Sequence, residues 1–281
     1  KVPYGTWIIR EIESPKGYVL SEEEIAVTIG KVDEVVEIEL VNYFIKGNIA
    51  LTKVDEDYPD NKLSGAVFEV YSDTNGDGKL DKDDTLLGEM KELDGGVYQM
   101  SELRYGKYLV KETKAPTGFV LDENVYAVSI EENGKTYTVE NKAGVGFINA
   151  AQKGSLKIVK TSSDGKVEGF SFRVTGVDYD QTFKTDKNGE IVIEGLRIGD
   201  YTVSEVSDKA SAGYILPADK QATVKVDATA IVQMHNEFRD TPKTGDDFNL
   251  GLWVSLAALS VVGAGVLGFV GYKNRKKKKE D

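Results

Sequence analysis

The chain has 281 residues, 40% hydrophobic and 29% charged, with a formal net charge of −12, no cysteine and a single histidine, His235. That length and composition suit two or three globular domains, and they exclude disulfides, thiolate metal sites, multi-histidine zinc sites and most histidine-based catalysis. The acidic body disfavours nucleic acid and anionic membrane surfaces as partners.

The chain starts at Lys1, without methionine or leader peptide, and is read as a piece of a longer protein. The first stretch, Thr6-Trp7-Ile8-Ile9-Arg10-Glu11 through Pro15-Lys16-Gly17-Tyr18-Val19-Leu20, returns without a gap. Its second copy is Lys107-Tyr108-Leu109-Val110-Lys111-Glu112 through Pro116-Thr117-Gly118-Phe119-Val120-Leu121. A looser third copy runs Tyr201-Thr202-Val203-Ser204-Glu205 and resumes at Gly213-Tyr214-Ile215-Leu216. A second element repeats as well: Asn42, Gly47, Lys53 and then Asn149, Gly154, Lys160. Such self-similarity marks a tandem array.

Between these landmarks lie short β-type runs: 47–54, 66–71, 126–130, 155–161, 170–174, 191–193 and 222–226. Asp-Gly at 77–78 and 164–165, Asn-Gly at 133–134 and 188–189, and Gly95-Gly96 punctuate them as turns. Leu156, Ile158 and Lys160 alternate with Lys157 and Val159, the period of a half-buried strand. The expected fold is therefore all-β: small sandwiches in tandem. Residues 1–45 read as the C-terminal part of one module, 46–150 and 151–238 as complete modules, and 239–281 as a separate tail.

Within the second module, Asp73-Thr74-Asn75-Gly76-Asp77-Gly78-Lys79-Leu80-Asp81-Lys82-Asp83-Asp84 resembles a twelve-residue EF-hand calcium loop. Asp73, Asn75, Asp77, Lys79 (through its carbonyl), Asp81 and Asp84 fall at the ligand positions and Gly78 at the turn. Asp84 replaces the usual bidentate Glu, and no flanking helix is evident. The loop reads as an insertion in a hairpin, with Ca2+ as its candidate ion; a solvated acidic turn is the alternative.

At the C-terminus, Phe248 to Tyr272 carries no charge and is long enough to span a bilayer as a helix. Lys273, Arg275 and Lys276 to Lys279 follow and would stay cytoplasmic, leaving the body outside. Thr241-Pro242-Lys243-Thr244-Gly245 stands just before the span. This motif, span and basic tail together resemble the LPxTG-like sorting signal of Gram-positive wall proteins, with Thr241 in place of the usual Leu. The resemblance implies that a sortase cleaves after Thr244 and passes the chain to a peptidoglycan precursor or a pilin lysine. Pro242 would extend the backbone in the enzyme groove and Gly245 would allow close approach.

Residues 1–238 carry a second resemblance. Tyr108-x-x-x-Glu112-Thr113-x-Ala115-Pro116-x-Gly118-Phe119 is similar to the E-box of the collagen-adhesin B-type (Cna-B-type, prealbumin-like) repeats of Gram-positive adhesins and pilins. Those repeats are immunoglobulin-like sandwiches in which a first-strand Lys and a last-strand Asn form an isopeptide bond promoted by the Glu. By position this implies Lys53–Asn149 with Glu112, and Lys160–Asn236 with Glu205. The first module retains Glu11 and Asn42, its Lys lying upstream. Asn141 is a rival to Asn149, and the third E-box has Lys209-Ala210-Ser211-Ala212 where Ala-Pro is usual.

The function implied is a cell-surface stalk or adhesin attached to the wall. It would not be an enzyme, except in self-linking, and an upstream region would meet a host extracellular-matrix protein. A minor or basal pilin, or the wall anchor of an upstream enzyme, are the alternatives. Asp60 follows Tyr58-Pro59 where a shaft pilin would carry Lys.

Overall fold

The structure, a computed structural model, describes residues 2–239. The described residues form strands, turns and bends, with no helix. The first unit is slight: β1 (Gly5–Arg10) pairs antiparallel with β2 (Glu24–Ile29). Among its described hydrophobic residues Val27 alone is buried.

The second unit runs β3 (Lys46–Asp55), β4 (Val67–Ser72), β5 (Thr85–Glu89), β6 (Lys91–Glu92), β7 (Val97–Arg104), β8 (Gly106–Lys114), β9 (Val125–Ile130), β10 (Thr136–Thr138) and β11 (Phe147–Asn149). One sheet has the order β10-β3-β7-β6, with β11 also pairing β3; the other has the order β5-β4-β8-β9. The third unit repeats this plan. Its strands are β12 (Lys153–Ser162), β13 (Ser171–Gly176), β14 (Tyr179–Lys184), β15 (Glu190–Arg197), β16 (Gly199–Val206), β17 (Tyr214–Ile215), β18 (Lys220–Val224) and β19 (Thr229–Phe238). Its sheets are β15-β12-β19-β17 and β14-β13-β16-β18. Each complete unit is thus two sheets closed face to face over one core, the solution that half-apolar strands require.

Strand alternation fills those cores. On β12, Gly154, Leu156, Ile158 and Lys160 point inward while Ser155, Lys157 and Val159 do not. Leu156 and Ile158 join Phe170, Phe172, Val174, Tyr201, Val203 and Met234. On β3 the inward row is Gly47, Ile49, Leu51 and Lys53, packed with Phe68, Val70, Tyr98, Val110 and Phe147. In each complete unit a buried lysine follows the apolar residues of the inward row.

The first and last strands of each complete unit are parallel neighbours: β3 with β10 and β11, and β12 with β19. The repeated glycine explains how they meet. A Cβ on Gly154 would stand 2.1 Å from the Lys225 carbonyl, and one on Gly47 would stand 2.8 Å from the Lys135 carbonyl. The return backbone crosses the first strand too closely for any side chain.

The acidic loop lies between β4 and β5, an antiparallel pair, as the expected hairpin insertion. The equivalent β13–β14 hairpin closes tightly at Gly176 and Tyr179.

Candidate functional site

Lys53 and Lys160 are 0% and 1% exposed. Each is held there by its strand position, with an aromatic wall beside it. Lys53 Nζ lies 5.2 Å from the Phe147 ring centre and donates to the Phe147 carbonyl at 2.9 Å. Lys160 Nζ lies 4.2 Å from the Phe170 ring centre and donates to the Thr161 carbonyl.

Glu112, from β8 of the opposite sheet, is also 0% exposed, and its Oε1 stands 4.0 Å from Lys53 Nζ. Asn149 comes from β11; its Nδ2 donates to Glu112 Oε2 at 2.8 Å and also to the Val120 carbonyl. The Asp122 N–H donates to the same Glu112 oxygen at 2.8 Å. In the third unit Asn236 Nδ2 donates to Glu205 Oε1 at 2.7 Å. The first unit has the same arrangement without a lysine. Asn42 Nδ2 donates to Glu11 Oε1 and Oε2 at 2.9 and 2.7 Å and to the Val19 carbonyl, and the Ser21 N–H donates to Glu11.

The two triads share a defect. Glu112 Oε1 and Asn149 Oδ1 are buried with no hydrogen-bond partner, and so are Glu205 Oε2 and Asn236 Oδ1. No other fully buried side-chain polar atom among the described residues lacks one. Native interiors rarely leave such atoms bare, because each costs about 1–3 kcal/mol.

Burial also shifts the charges. Desolvation lowers the Lys53 amine to a pKa of about 8, against the opposing pull of Glu112, Asp122 and Asp55. Desolvation raises Glu112 above the usual carboxylate range, although the Asn149 and Asp122 hydrogen bonds and Lys53 oppose it. Lys160 is lowered and Glu205 raised, again by desolvation first. Both pairs therefore lean toward neutral amine and neutral acid.

Some roles were not evident in the sequence. Asn141 is a clasp: its Oδ1 accepts from the Ile148 N–H at 2.6 Å and its Nδ2 donates to the Ile148 carbonyl at 2.9 Å. It restores β11 after residues 139–146, an excursion absent from the continuous β19. That excursion lengthens the Glu112-to-Asn149 separation to 37, against 31 for Glu205 to Asn236. Asp122 accepts from Asn141 Nδ2 and from the Tyr126 hydroxyl. The one available signal was that Asp122 follows Glu112 by ten residues, as Ser21 follows Glu11.

In the acidic loop Asp73 is buried and accepts from the Gly76 and Gly78 N–H groups. Asn75 and Asp77 accept from the N–H two residues on, and Asp84 accepts from the Thr74 and Asp81 N–H groups. Among the described residues no three acidic or histidine side chains converge as metal ligands. His235 faces outward on β19, between Thr161 and Glu237. Thr241, Pro242, Lys243, Thr244, Gly245 and the apolar span lie outside the described residues.

Tandem two-sheet sandwiches, with Lys and Asn buried on parallel terminal strands and a Glu facing them from the opposite sheet, define a class of prealbumin-like structural modules. The chain belongs to the SpaA prealbumin-like fold domain family, which matches residues 1–43, 47–143 and 154–238. Among solved structures it is similar to the Bacillus anthracis TIE protein, at 27% identity and a TM-score of 0.63. That match covers 84% of this chain but only 42% of that one, so the chain spans less than half of that relative. The minor pilin of Streptococcus agalactiae also matches, at 18% identity and a TM-score of 0.32, over 72% of this chain and 100% of that one. No curated protein matches.

Proposed function

We infer that the chain is a structural stalk of a Gram-positive cell surface, whose complete modules lock themselves with Lys53–Asn149 and Lys160–Asn236 isopeptide bonds. The carrying observation is the bare oxygen pair in each triad. Two buried acceptors without a donor share one need, a proton, and a neutral glutamic acid supplies it. Glu112 then polarises the Asn149 carboxamide while the neutral Lys53 amine attacks Cγ. The N–C bond forms, the Cγ–Nδ2 bond breaks, and the amide nitrogen leaves as ammonia with a proton relayed from the lysine through Glu112. Glu205 does the same for Lys160 and Asn236. Each site turns over once, so the chain is a self-modifying structural protein and not an enzyme.

Sortase attachment after Thr244, with the apolar span as temporary membrane anchor, places the stalk on the wall; the acceptor is a peptidoglycan precursor or a pilin lysine. The second reading is a minor or basal pilin, a role that the prealbumin-like modules would equally serve. Calcium is the ion we assign to the loop from Asp73 to Asp84. Its donors are hard oxygens, and Asp84 closes the ring onto Thr74. Intact mass spectrometry tests the central reading. The chain is expected to weigh less than its sequence by two ammonia molecules, and Glu112→Ala and Asn149→Ala should each restore one. The full sequence mass in the unmutated chain would refute it.

A further inference from the structure

Neighbouring units meet through a repeated piece of backbone. Between the first and second units, Ile45 donates its N–H to the Gly17 carbonyl at 2.9 Å, and its carbonyl accepts from the Tyr105 N–H at 2.9 Å. Between the second and third, Gln152 donates to the Gly118 carbonyl at 2.8 Å and accepts from the Ile198 N–H at 3.1 Å. One linker residue thus bonds back to the glycine turn of its own unit and forward to the next unit. The third unit repeats the backward half: the Arg239 N–H donates to the Gly213 carbonyl at 2.6 Å.

The forward partner stands at the same corner each time. Tyr105 lies between β7 and β8, and Ile198 between β15 and β16. A tyrosine hydroxyl pins the carbonyl of the preceding arginine in both, Tyr108 to Arg104 at 2.6 Å and Tyr201 to Arg197 at 2.9 Å. The arginine side chain then reaches back across the boundary. The Arg104 guanidinium carbon lies 4.0 Å from the Phe44 ring centre, a cation–π contact. Arg197 forks onto Asp55, Nη1 to Oδ2 at 2.6 Å and Nη2 to Oδ1 at 2.8 Å, and Nη2 also donates to Asp57 at 3.0 Å. Asp55 is 2% exposed, so this fork is largely removed from water. The linker and corner side chains differ, Ile45 against Gln152 and Tyr105 against Ile198, while the backbone bonds stay the same.

We propose that the corner before β8 and before β16 is a docking surface for the linker of a preceding prealbumin-like module, and that the two-ended bridge, with its arginine, holds successive units in one orientation. Adjacent domains of a chain ordinarily move against each other. Here the linker residue is tied at both ends, which removes that freedom. The array then resists bending by a device separate from the isopeptide links, which act within a unit, so the proposal stands whether or not those links form.

The chain has no cysteine, so two added ones take spin labels uniquely. Thr85→Cys on β5 and Glu194→Cys on β15 lie at exposed places on the second and third units. Double electron–electron resonance should give one narrow distance distribution in the full chain. Arg197→Met combined with a Gly-Gly-Ser insertion after Gln152 is expected to broaden it about twofold, as a flexible linker allows. Arg197→Met alone, which keeps the chain length, should give an intermediate width. In the combined variant the Ile198 amide should exchange its hydrogen about tenfold faster. The Lys53 and Lys160 amides, bonded to Gly96 and Gly189 within their own units, should keep their rates. A broad distribution in the labelled chain without further change, equal widths in all three chains, or an Ile198 amide as slow in the combined variant as in the parent would overturn the proposal.

Discussion

Lys160 and Asn236 stand on adjacent parallel strands, Asn236 opposite Ser162, so both side chains rise from one face of the ladder two places apart. Lys53 and Asn149 repeat the relationship, Asn149 standing opposite Asp55. A bond between such residues ties the first strand of a unit to its last. Tension applied to the chain ends would then pass through the tie instead of peeling the strands apart.

Loss of that tie should be measurable as stability. Closing loops of these lengths is worth about 4–5 kcal/mol in the chain-entropy description. Glu205→Ala is expected to lower the melting temperature of the third unit and to speed its cleavage by trypsin, since local opening is no longer limited by the bond. Equal melting and equal proteolysis would show that Lys160 is an ordinary buried amine.

The pH dependence of stability should reveal whether Lys53 titrates. In Asn149→Ala the lysine stays an amine, with a folded pKa depressed from 10.5 to about 8 by burial. Between those values the unfolded chain binds the proton that the folded chain has released, so stability rises with pH across that window. Below it, the folded unit must bury the charge. The linked chain carries an amide at that place and should lack this rise, as denaturant titrations at pH 7 and pH 10 can decide.

Gly154→Ala should destabilise the third unit by about 1–3 kcal/mol, the usual cost of forcing an atom into a closed interior. The added carbon would meet the Lys225 and Ala228 carbonyls at 2.1 and 2.9 Å. Gly165→Ala probes something different: its φ of +81° brings strain, but no atom lies within 4 Å of the new carbon. Calorimetric or denaturant melting should rank Gly154→Ala as the more damaging.

Calcium binding is expected as one calorimetric event that Asp73→Ala plus Asp77→Ala abolishes. Asp73 is the buried centre of the loop, accepting from two of its N–H groups, so its loss removes both a ligand and the frame. Absence of heat at millimolar calcium would return the loop to a plain acidic hairpin.

Thr244→Ala should shift the chain from the wall fraction to the membrane or the medium, because the scissile carbonyl belongs to that residue. Unchanged wall attachment would remove sortase from the account.

Much of this protein was legible as a linear pattern. The Glu11, Glu112 and Glu205 series, the Asn-to-Gly-to-Lys spacing and the period-two row ending in Lys160 are properties of sequence register, which strands carry directly into space. They carried the all-β class and the tandem plan, and they favoured Asn149 over Asn141 as the expected partner of Lys53. Tertiary structure decided what depends on strands far apart in sequence. It paired first and last strands in parallel, left one Glu and one Asn oxygen bare in each triad, made Asn141 a clasp for Ile148, and brought Arg197 to Asp55 across a unit boundary. The reason is physical: desolvation and hydrogen-bond satisfaction are set by every group that encloses an atom, and no local spacing reports which groups those are.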